Sequence, residues 1–168
     1  MFIKKELKRK ILRNKKLLER KLKVKLRIKN DDLEIEGNEF NHYIAEKIIE
    51  ALDKNFPLKI SLLLLNEGYI LESINIKDIT RRKNLKEVRA RIIGTHGKTL
   101  RLMSELSGCY ITLTENTISI LGPAEKIKET ETAIKSLIRG SKQRNVYRYL
   151  EKQRKKDYGE SLGLKIKE

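Results

Sequence analysis

The stretch Ile92-Ile93-Gly94-Thr95-His96-Gly97-Lys98-Thr99-Leu100-Arg101 decides the fold, because it places two glycines three residues apart at the head of an amphipathic pattern. Glycine lacks a Cβ, so a turn built on it can approach another backbone closely and can adopt positive φ angles. Apolar residues then recur at helical spacing up to Gly108, which ends the predicted helix. Backbone amides at the start of a helix suit phosphate oxygens. In isolation such a turn predicts only a connection between helices, so its surroundings have to narrow the interpretation.

Regular patterns flank this turn on both sides. Residues 85–89 are predicted as a strand. Apolar and polar residues alternate over 109–114 and again over 118–120, with Glu115 and Asn116 as the turn between two strands. Residues 124–138 carry apolar side chains at helical spacing. The second half therefore contains a helix, a strand hairpin and a further helix after the glycine turn.

The first half of the chain has the same order. Residues 4–22 predict a basic amphipathic helix, residues 24–29 and 33–36 a hairpin, and residues 39–54 a helix with Asn38 as its N-cap. We interpret the shared order as an internal repeat of about 80–90 residues. The remaining segments are predicted as a helix over 57–66, an extended segment over 69–79 and a linker over 80–84.

Charge favours a polyanionic partner. The 168 residues carry 39 Lys and Arg against 23 Asp and Glu, a net charge of +16 with a pI near 9.9. The excess is concentrated in three blocks, residues 1–29, 77–114 and 139–168, which acidic or neutral segments separate. Either nucleic acid or an anionic membrane could accept such blocks, although a single basic run is often only a solvated helix face. Several separate blocks favour repeated phosphate contacts.

The order of elements around the glycine turn resembles a type I KH domain, β-α-α-β-β-α. The resemblance implies a groove beside the turn that clamps about four single-stranded nucleotides. We therefore predict an α+β protein of two type I KH domains, the first degenerate, with a C-terminal basic helix. The predicted division is a KH-like domain over 1–79, a linker over 80–84, a KH domain over 85–140 and a basic helix and tail over 141–168.

The second half also resembles a narrower group, the archaeal two-KH-domain ribosome-biogenesis proteins, which are relatives of the eukaryotic partner-of-Nob-one family. The similar segments are NEGYILESINI before the turn, NTISILGP after it and VYRYLE in the last helix. The resemblance implies binding of single-stranded (pre-)rRNA near the 3′ end of the small-subunit rRNA. It implies as partners the endonuclease that trims this end and the alpha subunit of translation initiation factor two. The alternative is a general single-stranded RNA-binding module that acts on mRNA or tRNA.

Candidate RNA contacts follow from the resemblance and from the charge. Around the predicted groove they are Arg89, Arg91, Ile92, Ile93, Gly94, Thr95, His96, Gly97, Lys98, Arg101 and Ile111, the last through its backbone. Accessory basic contacts are Lys8, Arg9, Lys10, Arg13, Arg148 and Arg154. The first half has no glycine before position 30, and Thr95-His96 replaces the basic pair common in the family.

Other functional classes find no support in the sequence. One cysteine and two histidines do not make a zinc signature, and we predict no metal, no cofactor and no enzymatic activity. No apolar run is long enough to cross a membrane, and the charged N-terminus does not resemble an export signal. We therefore expect a cytoplasmic protein that does not bind membranes. Cys109 is predicted to be a small buried residue at the start of a strand.

Overall fold

A computed structural model of the chain describes residues 1–161. The chain divides into two compact units, one formed by residues 1–67 and the other beginning at Gly68. Both units combine helices with antiparallel strands, so the predicted α+β class is correct.

The first unit is built on the predicted helix, hairpin and helix. Helix α1 (Lys5–Leu22) buries its apolar stripe and exposes most of its basic residues. Strands β1 (Lys25–Lys29) and β2 (Asp32–Glu36) form the hairpin, and α2 (Glu39–Asp53) follows. The Asn38 side chain accepts a hydrogen bond from the Asn41 amide at 2.8 Å, which confirms the predicted N-cap.

The two ends of the first unit are less regular. Before α1, the chain pairs with the hairpin through a single bridge between Phe2 and Asp32, in place of a full strand. After α2, the helix predicted over 57–66 is present as α3 (Leu58–Ser61) and a 3₁₀ turn (Leu62–Leu65). This 3₁₀ turn consists of four consecutive leucines. With about three residues per turn, their side chains point to all sides of the backbone, so the segment has no polar face.

The second unit contains a three-stranded antiparallel sheet with helices packed on one face. Its strand order is β3-β5-β4, so β5 lies in the middle. A two-residue turn at Glu115 and Asn116 joins β4 to β5, and Glu115 adopts a φ of 54° there. The elements are β3 (Tyr69–Asn75), α4 (Ile76–Ile79), α5 (Leu85–Ile93), α6 (Lys98–Ser107), β4 (Tyr110–Thr114), β5 (Thr117–Pro123), α7 (Ala124–Arg139) and α8 (Gln143–Ser161).

The strand predicted over residues 85–89 is wrong, since these residues begin helix α5. The Asn84 side chain accepts a hydrogen bond from the Glu87 amide and caps this helix. Val88 and Ile92, four residues apart, are both buried on one helix face. The first strand of the second unit is instead β3, which pairs with β5 along its whole length. Residues 69–79, which the sequence analysis placed in the first domain, therefore lie in the second unit, and only their first part is extended.

The core of the second unit lies between the sheet and the helices. Ile74 and Ile118 occupy paired positions on β3 and β5, and Ile111 and Ile120 do the same on β4 and β5. These side chains pack against Met103 of α6 and against the apolar faces of α5 and α7. Each buried aliphatic side chain contributes about 1.5–3 kcal/mol relative to exposure. This core fixes the position of α5 and α6, which carry the glycine turn.

Candidate nucleic-acid interface

The glycine turn has a backbone that ordinary residues rarely adopt. Helix α5 ends at Ile93, and Gly94 then takes φ 70° and ψ 175°. His96 and Gly97 follow with φ of 50° and 75°, and α6 begins at Lys98. The Gly97 amide donates to the Gly94 carbonyl at 3.2 Å, which closes the turn. The turn predicted from the two glycines is therefore present between α5 and α6, and three of its residues have positive φ.

The two glycines have different structural roles. A Cβ added to Gly94 would lie 2.1 Å from Thr99 Oγ1 and 2.8 Å from the Thr99 backbone nitrogen, so any side chain there displaces the start of α6. A Cβ added to Gly97 would meet nothing within 4 Å. Gly94 is thus required for packing between the helices, whereas Gly97 presents an open backbone to solvent.

Strand β4 has an outer edge, because it lies at the end of the sheet with its pairing partner β5 on one side, and α6 packs against this strand. The two-residue hairpin makes Thr114 and Thr117 the closing pair. Hydrogen-bonded pairs alternate along an antiparallel ladder, so Thr112 and Tyr110 also direct their amides toward β5. Leu113 and Ile111 therefore direct their backbone groups outward. Within residues 1–161 no strand pairs with this edge.

Most of the predicted groove residues are exposed around the turn. Ile93 is 39% exposed although it is strongly apolar. His96, Lys98 and Arg101 bring cationic or titratable side chains to the same turn, and Arg101 Nη2 lies 3.5 Å from the His96 carbonyl oxygen. The structure brings the exposed predicted residues together at this turn and the adjoining helix ends, namely Arg91, Ile93, Thr95, His96, Lys98 and Arg101.

Two predicted contacts, Ile92 and Arg89, have side chains that are engaged inside the second unit. Ile92 is 1% exposed and belongs to the core, because consecutive helical residues point about 100° apart and its neighbour Ile93 takes the solvent side. Arg89 donates to the Asn116 side chain at 2.6 Å and so ties α5 to the β4–β5 turn. The Ile111 side chain is 7% exposed, which leaves only its backbone at the strand edge.

Gln143 was missed in the sequence analysis. Its Nε2 donates to Thr99 Oγ1 at 2.8 Å and to the Arg91 carbonyl at 3.2 Å. One side chain at the start of α8 therefore holds the end of α5 and the start of α6, and it keeps Thr99 against Gly94. No sequence signal identifies this role, since a glutamine in a basic, charged helix usually faces solvent.

The accessory basic residues divide into tethered and free groups. Lys8 Nζ donates to the Asn30 carbonyl and to Asp31 Oδ1, and Lys10 Nζ donates to the Leu52 carbonyl at 3.0 Å and to Asn55 Oδ1 at 2.7 Å. These lysines hold the first unit together, whereas Arg9 and Arg13 are exposed. Arg148 and Arg154 are both exposed on α8 but line different depressions.

Cys109 is 2% exposed, which confirms its predicted burial just before β4. Burial raises the pKa of its thiol, and a 3.5 Å hydrogen bond from Thr130 Oγ1 partly opposes this shift. The thiol is therefore a packing group that stays protonated at neutral pH.

The described residues contain no cluster of three or more His, Cys, Asp or Glu side chains placed to hold a metal ion. Among the same residues, no helix has the length and apolarity needed to cross a membrane.

Comparison with known proteins identifies relatives for most of this chain. Residues 70–155 match the PNO1-type family described as the eukaryotic-type KH domain, KH domain type I. A KH domain-containing protein of Methanocaldococcus jannaschii is 32% identical over 149 residues, which cover 84% of this chain and 66% of that protein. The pre-rRNA-processing protein pno1 of Emericella nidulans is 30% identical over 142 residues, which cover 79% of this chain and 55% of that protein.

Solved structures show the same similarity. Dim2p from Pyrococcus horikoshii has a TM-score of 0.76 at 35% identity, covering 83% of this chain and 87% of that one. A chain in the a/eIF2alpha–aDim2p–rRNA complex from the same organism has a TM-score of 0.83 at 32% identity, covering 93% of each chain. A protein of unknown function from Aeropyrum pernix has a TM-score of 0.85 at 25% identity, covering 97% of this chain and 94% of that one.

Proposed function

This chain belongs to the eukaryotic-type, type I KH-domain family, and on that premise we propose that it binds single-stranded pre-rRNA in small-subunit assembly, near the 3′ end of the small-subunit rRNA. The observation that carries the proposal is the open turn at Gly97, which is flanked by cations. The same unit contains strand β4, whose outer edge is unpaired within residues 1–161. Phosphates fit against the glycine backbone, and bases reach the outward amides of Ile111 and Leu113. The protein acts as a binding module without catalytic turnover.

The proposed division of labour differs between the two units. The second unit is the KH domain that reads the RNA, and Ile93 supplies an apolar contact for a base in its groove. The first unit is a degenerate KH-like domain, since it lacks a glycine turn and a complete first strand. Its exposed arginines Arg9 and Arg13 add phosphate contacts that do not depend on sequence.

The proposed partners follow the solved neighbour in which aDim2p is bound with a/eIF2alpha and rRNA. We extend that arrangement to this chain and add the endonuclease that trims the rRNA 3′ end. We place these events in the cytoplasm.

Crosslinking in cells followed by mapping of the contacted nucleotides tests the proposal. We expect contacts concentrated in the 3′ region of the small-subunit rRNA and their loss in an Ile93→Ala variant that folds normally. Replacement of the exposed Lys128 on α7 by Gln is a matched surface control that retains the contacts. Enrichment of one set of mRNAs or tRNAs over pre-rRNA would overturn the ribosomal assignment in favour of a general RNA-binding module. Cleavage of RNA by the purified chain would overturn the non-enzymatic role.

A further inference from the structure

The start of α8 is fixed to the glycine turn. Gln143 bonds to both helices that meet at the turn, so the first residues of α8 lie directly beside the end of α5 and the start of α6. Helix α8 then packs along α6 and α7 through Val146 and Leu150, which are both 2% exposed. The position of its solvent face relative to the turn is therefore set by buried contacts.

That solvent face contains a depression of about 550 Å³ next to Gln143. Arg144, Tyr147 and Arg148 line it, and Glu151 closes its far end. These residues follow one another at helical spacing, so they form one stripe on α8. The Tyr147 ring packs partly on the core and is partly exposed to the depression. An exposed part of an aromatic ring between two cations suits a stacked base with flanking phosphates better than an apolar ligand.

Two further cations converge at the turn between α7 and α8. A Cβ added to Gly140 would lie 2.9 Å from Arg82 Nη2 and 3.4 Å from Arg91 Nη1, which places both guanidinium groups over this glycine. Within residues 1–158 neither group forms an ion pair with a carboxylate. Like charges held close together repel, and a bound anion relieves this repulsion. The two arginines and the α8 stripe thus form one basic surface behind the turn.

We propose that this surface, defined by Arg82, Arg91, Arg144, Tyr147 and Arg148, binds the one or two nucleotides that continue beyond the groove beside the glycine turn. Tyr147 stacks on a base, and the arginines contact the phosphates on either side of it. The carboxylate of Glu151 repels phosphate and ends the surface at that point. The inference rests on the proposed RNA-binding function and extends the bound segment from about four to about five or six nucleotides.

The test compares RNA lengths. The tightest-binding eight-nucleotide single-stranded RNA is selected from a random pool, and a series trimmed from each end down to four nucleotides is prepared. Dissociation constants are measured for the full chain and for Tyr147→Leu, Tyr147→Phe and Arg148→Gln. Leucine preserves the packing of the half-buried ring without an aromatic face, whereas phenylalanine keeps that face. Lys128→Gln, an exposed neutralisation on α7, is the matched control for lost charge.

We expect Tyr147→Leu to weaken binding of the eight-nucleotide RNA by about fivefold or more, because base stacking on an aromatic side chain contributes at least that much. Arg148→Gln weakens the same RNA and makes its salt dependence shallower by about 0.7 per lost phosphate contact. Tyr147→Phe and Lys128→Gln leave binding unchanged, and no variant alters binding of the shortest RNA that still occupies the groove.

The possible failures are distinguishable. One failure concerns α8 alone. If Tyr147→Leu and Arg148→Gln both bind the eight-nucleotide RNA as tightly as the unmodified chain, while Gly97→Asp abolishes binding, the α8 surface is refuted and the groove is not. Equal weakening of the longest and shortest RNAs would assign α8 to support of the turn alone and would also overturn the inference. Because Arg148 is exposed, Arg148→Gln decides the question even if Tyr147→Leu lowers the melting temperature. Failure of the unmodified chain to bind any single-stranded RNA would remove the proposed function and this inference together.

Discussion

Replacing Gly97 by Asp, with Asn as its isosteric control, separates the effect of charge at the turn from every other effect. Both side chains have the same size, and both enter open space, because nothing lies within 4 Å of the Cβ position. Both incur the same cost of a left-handed backbone at φ 75°, about 1–2 kcal/mol and less for Asn and Asp than for most residues. Only the aspartate adds a negative charge where a phosphate is expected to bind.

The size of the charge effect follows from Coulomb's law. At about 4 Å, two like unit charges repel by about 1 kcal/mol in water and by about 4 kcal/mol at an effective dielectric constant near 20. Since about 1.4 kcal/mol is a factor of ten, we expect Gly97→Asp to bind RNA about 5- to 1,000-fold more weakly than Gly97→Asn. Gly97 is the residue before α6, where a carboxylate interacts favourably with the helix N-terminus. The aspartate variant should therefore be at least as stable as the asparagine variant.

The assay is fluorescence anisotropy with a labelled single-stranded rRNA fragment, combined with thermal unfolding of each variant. We expect both variants to melt about 4–16 °C below the unmodified chain. The backbone cost of about 1–2 kcal/mol gives this shift, since about 1 kcal/mol corresponds to about 4–8 °C for a unit of this size. Gly94→Ala serves as the contrasting case and should unfold at a much lower temperature, because its Cβ would lie 2.1 Å from Thr99 Oγ1. Equal affinities of the folded Asp and Asn variants would refute the assignment of phosphate binding to the turn.

Three further predictions concern the charge and the cysteine. A plot of the logarithm of the RNA affinity against the logarithm of the salt concentration should have a slope of about −3, because each phosphate contact contributes about −0.7 and the groove holds about four nucleotides. A slope of −1 or shallower would show that most of the positive charge does not contact RNA. The double variant Arg9→Gln/Arg13→Gln should bind all RNAs more weakly, to a similar extent, at an unchanged melting temperature. Lys8→Gln and Lys10→Gln should instead each lower the free energy of unfolding by about 0.5–1.5 kcal/mol per lost hydrogen bond, as measured by urea unfolding. Because burial raises the pKa of Cys109, a disulfide reagent at pH 8 should modify the native protein far more slowly than the denatured protein, and equal rates would place the thiol at the surface.

Local patterns in the sequence were sufficient for most elements of the fold. The amphipathic period of α1, the alternation in both hairpins and the cap at Asn38 depend on neighbouring residues, so they are visible without a structure. The strand predicted over 85–89 was wrong: Leu85 and Val88, three residues apart, lie on one face of a helix but would lie on opposite faces of a strand. Five residues are too short a stretch for this period to be recognised without the rest of the helix. Pairing of β3 with β5 joins residues about 50 positions apart, and no local pattern reports such a contact.

The glycine turn of the candidate site was predicted from the sequence, but the contacts of several side chains around it and in the first unit were not. The glycine spacing and the nearby cations identified the turn correctly. The roles of Arg89, Lys8 and Lys10 depend on what their long side chains reach in three dimensions, and a charged residue in sequence gives no sign of an internal partner. The same limit concealed Gln143, whose two hydrogen bonds span 44 and 52 residues of chain.

The hydrogen bond between Arg89 and Asn116 acts as a brace across the second unit. It connects α5, one of the two helices that meet at the glycine turn, to the tip of the β4–β5 hairpin. In the proposed groove, α5 with its glycine turn forms one wall and the outer edge of β4 forms the other. The two walls therefore cannot separate at this end without breaking a short, charge-assisted bond. Under the proposed RNA-binding function, a groove braced in this way loses little conformational freedom when RNA binds, so we expect its selectivity to come from the fit of each base to a preformed groove.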